Sequence, residues 1–287
     1  MTTLVSVDGR IVTPAEATVS VFDRGFLYGD SVFEVFRTYA GVPFGFTEHM
    51  ARLGRSAGRA LIPLPVSLEQ FSSEIVQVIA ATGNPETYVR VVLTRGVGTA
   101  LGLSPSLGQK PLRVVMAMEL PPMPAAMYEQ GIGVITYRTE RIADHTSASG
   151  AKLSNYLISV LATNEAEKAG AAEAIIVDRS GQVVEGSTSN VFVFERGVLV
   201  TPPESSGILM GITREKVLEI AKRRNIPVEE RAFGIEALER AEEAFITSSI
   251  REVAPVVRVD GKTAGGGKPG PRTLELLEAL RALAYRR

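Results

Sequence analysis

AKLSNYLISVLATNEAEKAG (residues 151–170), EAIIVDRSGQVVEGSTSNVFVF (173–194) and GVLVTPPESSGILMGITR (197–214) follow one another almost without a break. The first piece predicts a helix from Asn155 to Lys168, with Lys152 just ahead of it. Strands are expected at Glu173–Asp178, Val183–Glu185, Ser189–Phe194 and Leu199–Thr201, with Arg179-Ser180-Gly181 as a hairpin turn. KVLEIAKRR after Arg214 is apolar-periodic, so a helix from Thr213 to Arg224 is expected, with Thr213 near its N-cap. Strands and helices interleaved in this way indicate a mixed α/β (α+β) class. Taken singly, each polar residue has an ordinary reading. A lysine before a helix is a surface charge, Glu185 before a glycine caps a turn, and G-I-T-R is a helix start.

Taken together and in order, the residues say more. E-G-S-T-S-N-V-F at 185–192, V-T at 200–201 and L-M-G-I-T-R at 209–214 resemble the signature of the class IV pyridoxal-phosphate (PLP) aminotransferases. That group includes branched-chain, D-amino acid and (R)-amine transaminases and aminodeoxychorismate lyase. The resemblance implies that Lys152 attaches PLP as a Schiff base and then moves the substrate proton, which needs an amine able to deprotonate near neutrality. It also implies that Glu185 faces the pyridine nitrogen and keeps the ring an electron sink. Leu209, Gly211, Ile212 and Thr213 fall at the implied phosphate site, where a helix start offers free N–H groups. Tyr156 matches the tyrosine that bonds the PLP 3′-oxygen in branched-chain enzymes.

Composition sets the outer limits. A chain of 287 residues with 45% hydrophobic content allows two packed domains. The net charge of −1, from 31 basic and 32 acidic residues, points to neither nucleic acid nor an anionic membrane as partner. There is no cysteine, which removes disulfides, zinc-thiolate sites and thiol nucleophiles. No signal peptide or spanning helix is read at the start, and a soluble, cytoplasmic protein is expected. His49 and His145 are too far apart in sequence to suggest a metal cluster, and neither receives a role.

Working outward, Leu4 to Val12 predicts a hairpin around Asp8-Gly9, and ATVSVF (17–22) a further strand. Asp23–Asp30, DRGFLYGD, closely resembles the corresponding segment of D-amino acid aminotransferases and contains Tyr28. The strand from Ser31 to Tyr39 places Phe33, Val35, Arg37 and Tyr39 on one face, which lines the substrate pocket in the family. A helix opens at Thr47 and carries Arg52 in H-x-x-R-L, the pattern of the phosphate-binding arginine. A second helix, Leu68–Thr82, is capped by Ser67. Strands follow at Tyr88–Gly96 and Leu112–Met118. The proline-rich run after Glu119 is an extended linker, giving a small α/β domain at 1–120, a linker at 121–128 and a larger PLP-binding domain at 129–287. The loop from Ile142 to Ala151 delivers Lys152. In the larger domain, strands are expected at Gly133–Tyr137, Val228–Arg231, Ala244–Thr247 and Val256–Val259, with a C-terminal helix from Arg272. By resemblance, the turn after Thr247 gives Ser248 and Ser249 to the phosphate and the N–H of Ile250 to the substrate carboxylate.

The resemblance extends from Asp23 to Val259. It implies a two-domain fold type IV enzyme whose larger domain has a barrel-like mixed sheet. PLP is expected at the domain interface, and a homodimer or higher oligomer completes each site. The substrate signals diverge. The Arg-x-His pair of D-amino acid aminotransferases is replaced by Ala100 and Gly102, whereas Tyr88 and Arg90 match branched-chain enzymes. Yet Val35 stands where those enzymes usually have glycine. A transaminase for hydrophobic or branched-chain L-amino acids and a 2-oxo acid such as 2-oxoglutarate is the first expectation. A D-amino acid or (R)-amine transaminase comes second, followed by a pyruvate-releasing lyase and a PLP-binding module without turnover.

Overall fold

The computed structural model describes residues 2–139 and 148–285. They fall into two compact units, Met1–Pro121 with Ala151–Asn155, and Pro122–Gly150 with Tyr156–Arg287. Most of the loop expected to lead into Lys152, including His145, lies outside the described residues.

The first unit begins with β1 (Thr3–Val7) and β2 (Arg10–Val12). Asp8 and Gly9 between them both have positive φ, 51° and 88°. A two-residue hairpin loop needs this to match the twist of its strands. The strand expected over ATVSVF does not form. Val19, Val21 and Phe22 are exposed, and among the described residues no strand pairs with them to give the alternation a buried face. Instead, Asp23 Oδ1 accepts from the N–H of Gly25 at 2.7 Å and caps a short helix, α1 (Arg24–Tyr28). Next come β3 (Ser31–Tyr39), β4 (Val42–Pro43), α2 (Phe46–Arg59), α3 (Leu68–Thr82), β5 (Thr87–Gly98) and β6 (Gly108–Glu119). Ser67 caps α3 as expected, accepting from the N–H of Gln70.

The sheet order is β2-β1-β6-β5-β3-β4, antiparallel throughout. One face packs against α2 and α3 through Val32, Phe36, Leu53, Phe71, Ile75 and Val91. Each such side chain contributes about 1.5–3 kcal/mol when fully buried. Residues 152–154 complete the β3 edge. The N–H of Phe33 donates to the Lys152 carbonyl, and the N–H of Ser154 to that of Ser31, both at 3.0 Å.

The second unit contains α4 (Ala125–Glu129), β7 (Ile132–Arg138), α5 (Leu157–Lys168), β8 (Glu173–Val177), β9 (Val183–Gly186), β10 (Asn190–Glu195) and β11 (Val198–Thr201). These are followed by α6 (Ile212–Arg223), β12 (Val228–Glu230), α7 (Ile235–Arg240), β13 (Glu243–Ser248), β14 (Glu252–Val259), β15 (Lys262–Thr263) and α8 (Pro271–Ala284). A nine-stranded mixed sheet runs β12-β11-β10-β13-β14-β7-β8-β9, with β15 paired to β14. The β14–β7, β7–β8 and β11–β12 pairs are parallel.

Helix α6 is capped by Gly211, in extended conformation, with Thr213 two residues on in the first turn, near the cap as expected. Strand β14 starts four residues before Val256, because Pro255 is accommodated opposite Phe245 despite having no N–H to donate. The six-residue α7 leaves no mark in the sequence pattern, since a turn and a half is too short to establish a helical period.

Candidate active site

In the first unit, Glu34 lies between Val32 and Phe36 on the core-facing side of β3 and is completely buried. Its carboxylate accepts from Arg52 through Nε at 2.7 Å and Nη2 at 2.6 Å, a two-pronged ion pair. His49 Nδ1 lies 2.7 Å from the same carboxylate. Burial works against the charged form of Glu34, but Arg52 and the hydrogen bonds outweigh it and hold the carboxyl at about 2. Burial also pushes His49 below its ordinary value, against the pull of Glu34. Arg52 is therefore a fixed cation, braced from β3 and within α2.

Lys152 sits close to this cluster along the chain fold. Its N–H donates to Ser56 Oγ on α2 at 3.1 Å, and its ammonium lies 4.6 Å from the centroid of the Phe33 ring. Arg90 approaches the same ring at 4.1 Å. The register places Val35 opposite Arg90 and Arg37 opposite Tyr88, so Phe33, Arg37, Tyr88 and Arg90 share the sheet face turned away from α2 and α3. Arg37 rests over Tyr39 and donates to the Thr38 carbonyl. Neither Arg37 nor Arg90 forms an ion pair among the described residues. Tyr28 lies at the end of α1, and its hydroxyl accepts from the N–H of Gly102 at 3.3 Å.

In the second unit, Glu185 is the penultimate residue of β9 and is buried. Its Oε2 accepts from the N–H of Leu209 at 2.9 Å and from Asn190 Nδ2 at 3.4 Å, and Asn190 also donates to the Leu209 carbonyl. Asn190 thereby ties the Glu185 strand to the segment entering α6. A Cβ on Gly211 would lie 2.1 Å from Asn190 Oδ1, so this backbone approach requires glycine. Helix α6 then starts at Ile212 with no side-chain cap, leaving its first N–H groups for another acceptor. Tyr156 stands at the start of α5. Ser248 Oγ accepts from the N–H of Arg251 at 3.1 Å, closing the turn that contains Ser249 and Ile250.

Two further hydroxyls, Ser189 Oγ and Thr247 Oγ1, are buried and have no hydrogen-bond partner. Unsatisfied donors of this kind, a buried carboxylate and an uncapped helix start fit a phosphorylated, nitrogen-containing ring such as PLP. Among the described residues, no group of three or more side chains is placed to hold a metal, and no helix is long and apolar enough to cross a membrane.

Several of these residues escape a reading of the sequence. Glu34 does carry a signal, being a charge at a position where the strand alternation faces the core. Ser56 carries none, because the Lys152 N–H it accepts lies 96 positions away.

Comparison with known proteins places this arrangement. Residues 31–259 match the family model for amino-transferase class IV. A candidate branched-chain-amino-acid aminotransferase of Methanocaldococcus jannaschii is 40% identical over 271 residues, which cover 94% of this chain and 93% of that protein. The D-alanine aminotransferase of Bacillus licheniformis is 35% identical over 279 residues, covering 95% and 94%. Among solved structures, a T.th. branched-chain amino acid aminotransferase with pyridoxamine 5′-phosphate superposes with a TM-score of 0.92. It is 33% identical, with coverage of 99% of this chain and 95% of that one.

Proposed function

We propose, from the premise that this chain belongs to the class IV aminotransferase family and is a PLP-dependent enzyme of fold type IV, a specific reaction. It transfers the amino group of a hydrophobic or branched-chain L-amino acid to a 2-oxo acid such as 2-oxoglutarate. The observation that carries this reading is the pair Arg37 and Arg90. Both lie on one sheet face, stacked on aromatic rings and, among the described residues, without an ion pair to a carboxylate, beside the ring that Lys152 also contacts. Guanidinium groups arranged in this way suit the carboxylates that amino acids and 2-oxo acids share.

When bound, PLP supplies a ring that accepts the electron pair released at the substrate α-carbon. The chain's residues do the rest. The Lys152 amine would hold the cofactor through its aldehyde and, once released, would accept the proton from the substrate α-carbon. The Glu185 carboxylate would face the ring nitrogen and favour its protonated form. On the second unit, Gly211, Ile212, Thr213, Ser248 and Ser249 would bind the phosphate, Tyr156 the 3′-oxygen and the Ile250 N–H a substrate carboxylate, with Leu209 supporting Glu185 through its N–H. On the first unit, Arg52 would serve the phosphate and Arg90 and Tyr88 a carboxylate, while Phe33, Arg37 and Tyr28 would shape the side-chain pocket.

A homodimer is part of the same reading. It is supported by apolar side chains left exposed on the first unit, among them Phe26, Leu101 and Leu103. A cytoplasmic setting accords with a chain that has no cysteine.

The D-amino acid reading remains as the second. It is favoured by Asp23–Asp30 and by the 35% identity to a D-alanine aminotransferase. A half-reaction separates the two: PLP-loaded protein is mixed with L-leucine or with D-alanine, and the visible cofactor band is followed together with 2-oxo acid release. The branched-chain reading expects bleaching with L-leucine and none with D-alanine. Bleaching with D-alanine alone overturns it.

A further inference from the structure

Glu173 opens β8 and is almost completely buried, yet it receives more donors than its place in a strand requires. Ser187 Oγ donates to Oε1, as does the N–H of Thr188 at 3.0 Å. Thr188 Oγ1 reaches Oε2 at 3.2 Å, and Arg251 Nη2 forms an ion pair with Oε2. Arg251 Nη2 also donates to Thr188 Oγ1 at 2.6 Å. The backbone N–H of Arg251 closes on Ser248 Oγ. One carboxylate and one guanidinium therefore join two separate turns: residues 186–190, directly after Glu185, and residues 248–251, which contain Ser248, Ser249 and Ile250.

We propose that Glu173 and Arg251 are positioning residues that hold the 248–251 turn against the 186–190 turn, so that the donors of the former stay in register for the cofactor phosphate. Neither side chain is assigned any contact with the cofactor. The inference rests on the reading of this turn as part of the PLP site. A buried carboxylate keeps its geometry only while its acceptor sites are filled. Losing Arg251 leaves Glu173 to Ser187 and Thr188, and the 248–251 turn loses its side-chain tie to the 186–190 turn. Binding groups have to be held to about 0.5 Å, so a loosened turn costs phosphate affinity in particular. A brace that served folding alone would affect every ligand equally.

The test compares PLP with pyridoxal, which has the same aldehyde and ring but no phosphate. Dissociation constants for both are measured by equilibrium dialysis on the full chain. Arg251→Met is expected to weaken PLP about tenfold or more while leaving pyridoxal within about twofold. Arg251→Lys, which keeps the charge, should recover most of the loss. Glu173→Gln replaces one acceptor with a donor facing Arg251 or Thr188; it should repeat the selective loss and carries the test if Arg251→Met does not fold. Equal weakening of both ligands, or no weakening of PLP, overturns the brace. If the unaltered chain does not bind PLP, the cofactor reading itself fails and the brace with it.

Discussion

The peptide N–H of Phe33 and the carbonyl of Lys152 are joined by a 3.0 Å hydrogen bond, and the two side chains of this pair also meet, ammonium over ring at 4.6 Å. Lys152 is thus held from its backbone and from its head group by one residue of β3. An amine that forms a Schiff base has to be presented at one place, and this double attachment restricts where it can reach. Lys152→Ala should abolish both the visible absorbance of the bound cofactor and all transamination. Retention of either would remove Lys152 from its proposed role.

Stability in acid should depend on the Glu34–His49–Arg52 cluster. Glu34 falls from an ordinary 4.5 to about 2 in the folded chain, and His49 is held below 6.5. Both values are depressed, so both groups stabilise the fold above their unfolded pKa and lose that contribution as pH falls. The His49 share begins to disappear below pH 6.5, and the Glu34 share between 4.5 and about 2. Glu34→Gln removes the two-pronged carboxylate from the buried Arg52, costing about 3–5 kcal/mol at neutral pH. It also flattens the decline below pH 4.5. Urea unfolding of the cofactor-free protein across this range checks both effects; an unchanged acid limb would contradict the assignment.

Arg37 and Arg90 should divide their work between substrates. Arg90→Met is expected to lower kcat/KM by about 10- to 100-fold for every amino acid, the value of one charge-assisted hydrogen bond. Arg37→Met should weaken 2-oxoglutarate more than a monocarboxylic 2-oxo acid, since only the former has a second carboxylate. Steady-state kinetics with the two acceptors decides the matter, and equal losses would exclude a second-carboxylate role for Arg37.

Glu185→Gln retains an oxygen for the Leu209 N–H but cannot keep a proton at a ring nitrogen by charge. Cofactor binding should persist while the half-reaction slows by about two orders of magnitude. Stopped-flow measurement of the visible band reads that rate directly, and a variant reacting at the original rate would free Glu185 from this function.

Local rules recovered much of the architecture because the decisive signals lie close together in sequence. Asp8-Gly9 supplies the backbone needed by its hairpin, and Ser67 caps α3 by accepting from an N–H three residues on. The cofactor motif could be read for the same reason, since 185–192 and 209–214 form continuous runs. Long-range pairing stayed hidden. Residues 17–22 alternate like a strand but have no neighbour to pair with, and Asp23 diverts the chain into α1. Glu34 is an unexplained charge among core-facing positions until α2 brings Arg52 and His49 onto it. Glu173 and Arg251 lie 78 positions apart, and nothing near either one names its partner.

The return of Ala151–Asn155 to the first unit gives the protein a particular problem during its synthesis. When Pro121 leaves the ribosome, α2, α3 and all six strands of the first sheet are available, but Ser31–Phe33 still lack the neighbour that Lys152–Ser154 will provide. That segment follows about 30 residues later, a delay of a few seconds at ~5–20 residues per second. Meanwhile the open backbone of β3 is an edge onto which another nascent chain could add. Chains stalled or cleaved between residues 121 and 151 should therefore aggregate more readily than the full-length protein. The peptide that carries Lys152 is also the one that closes this edge.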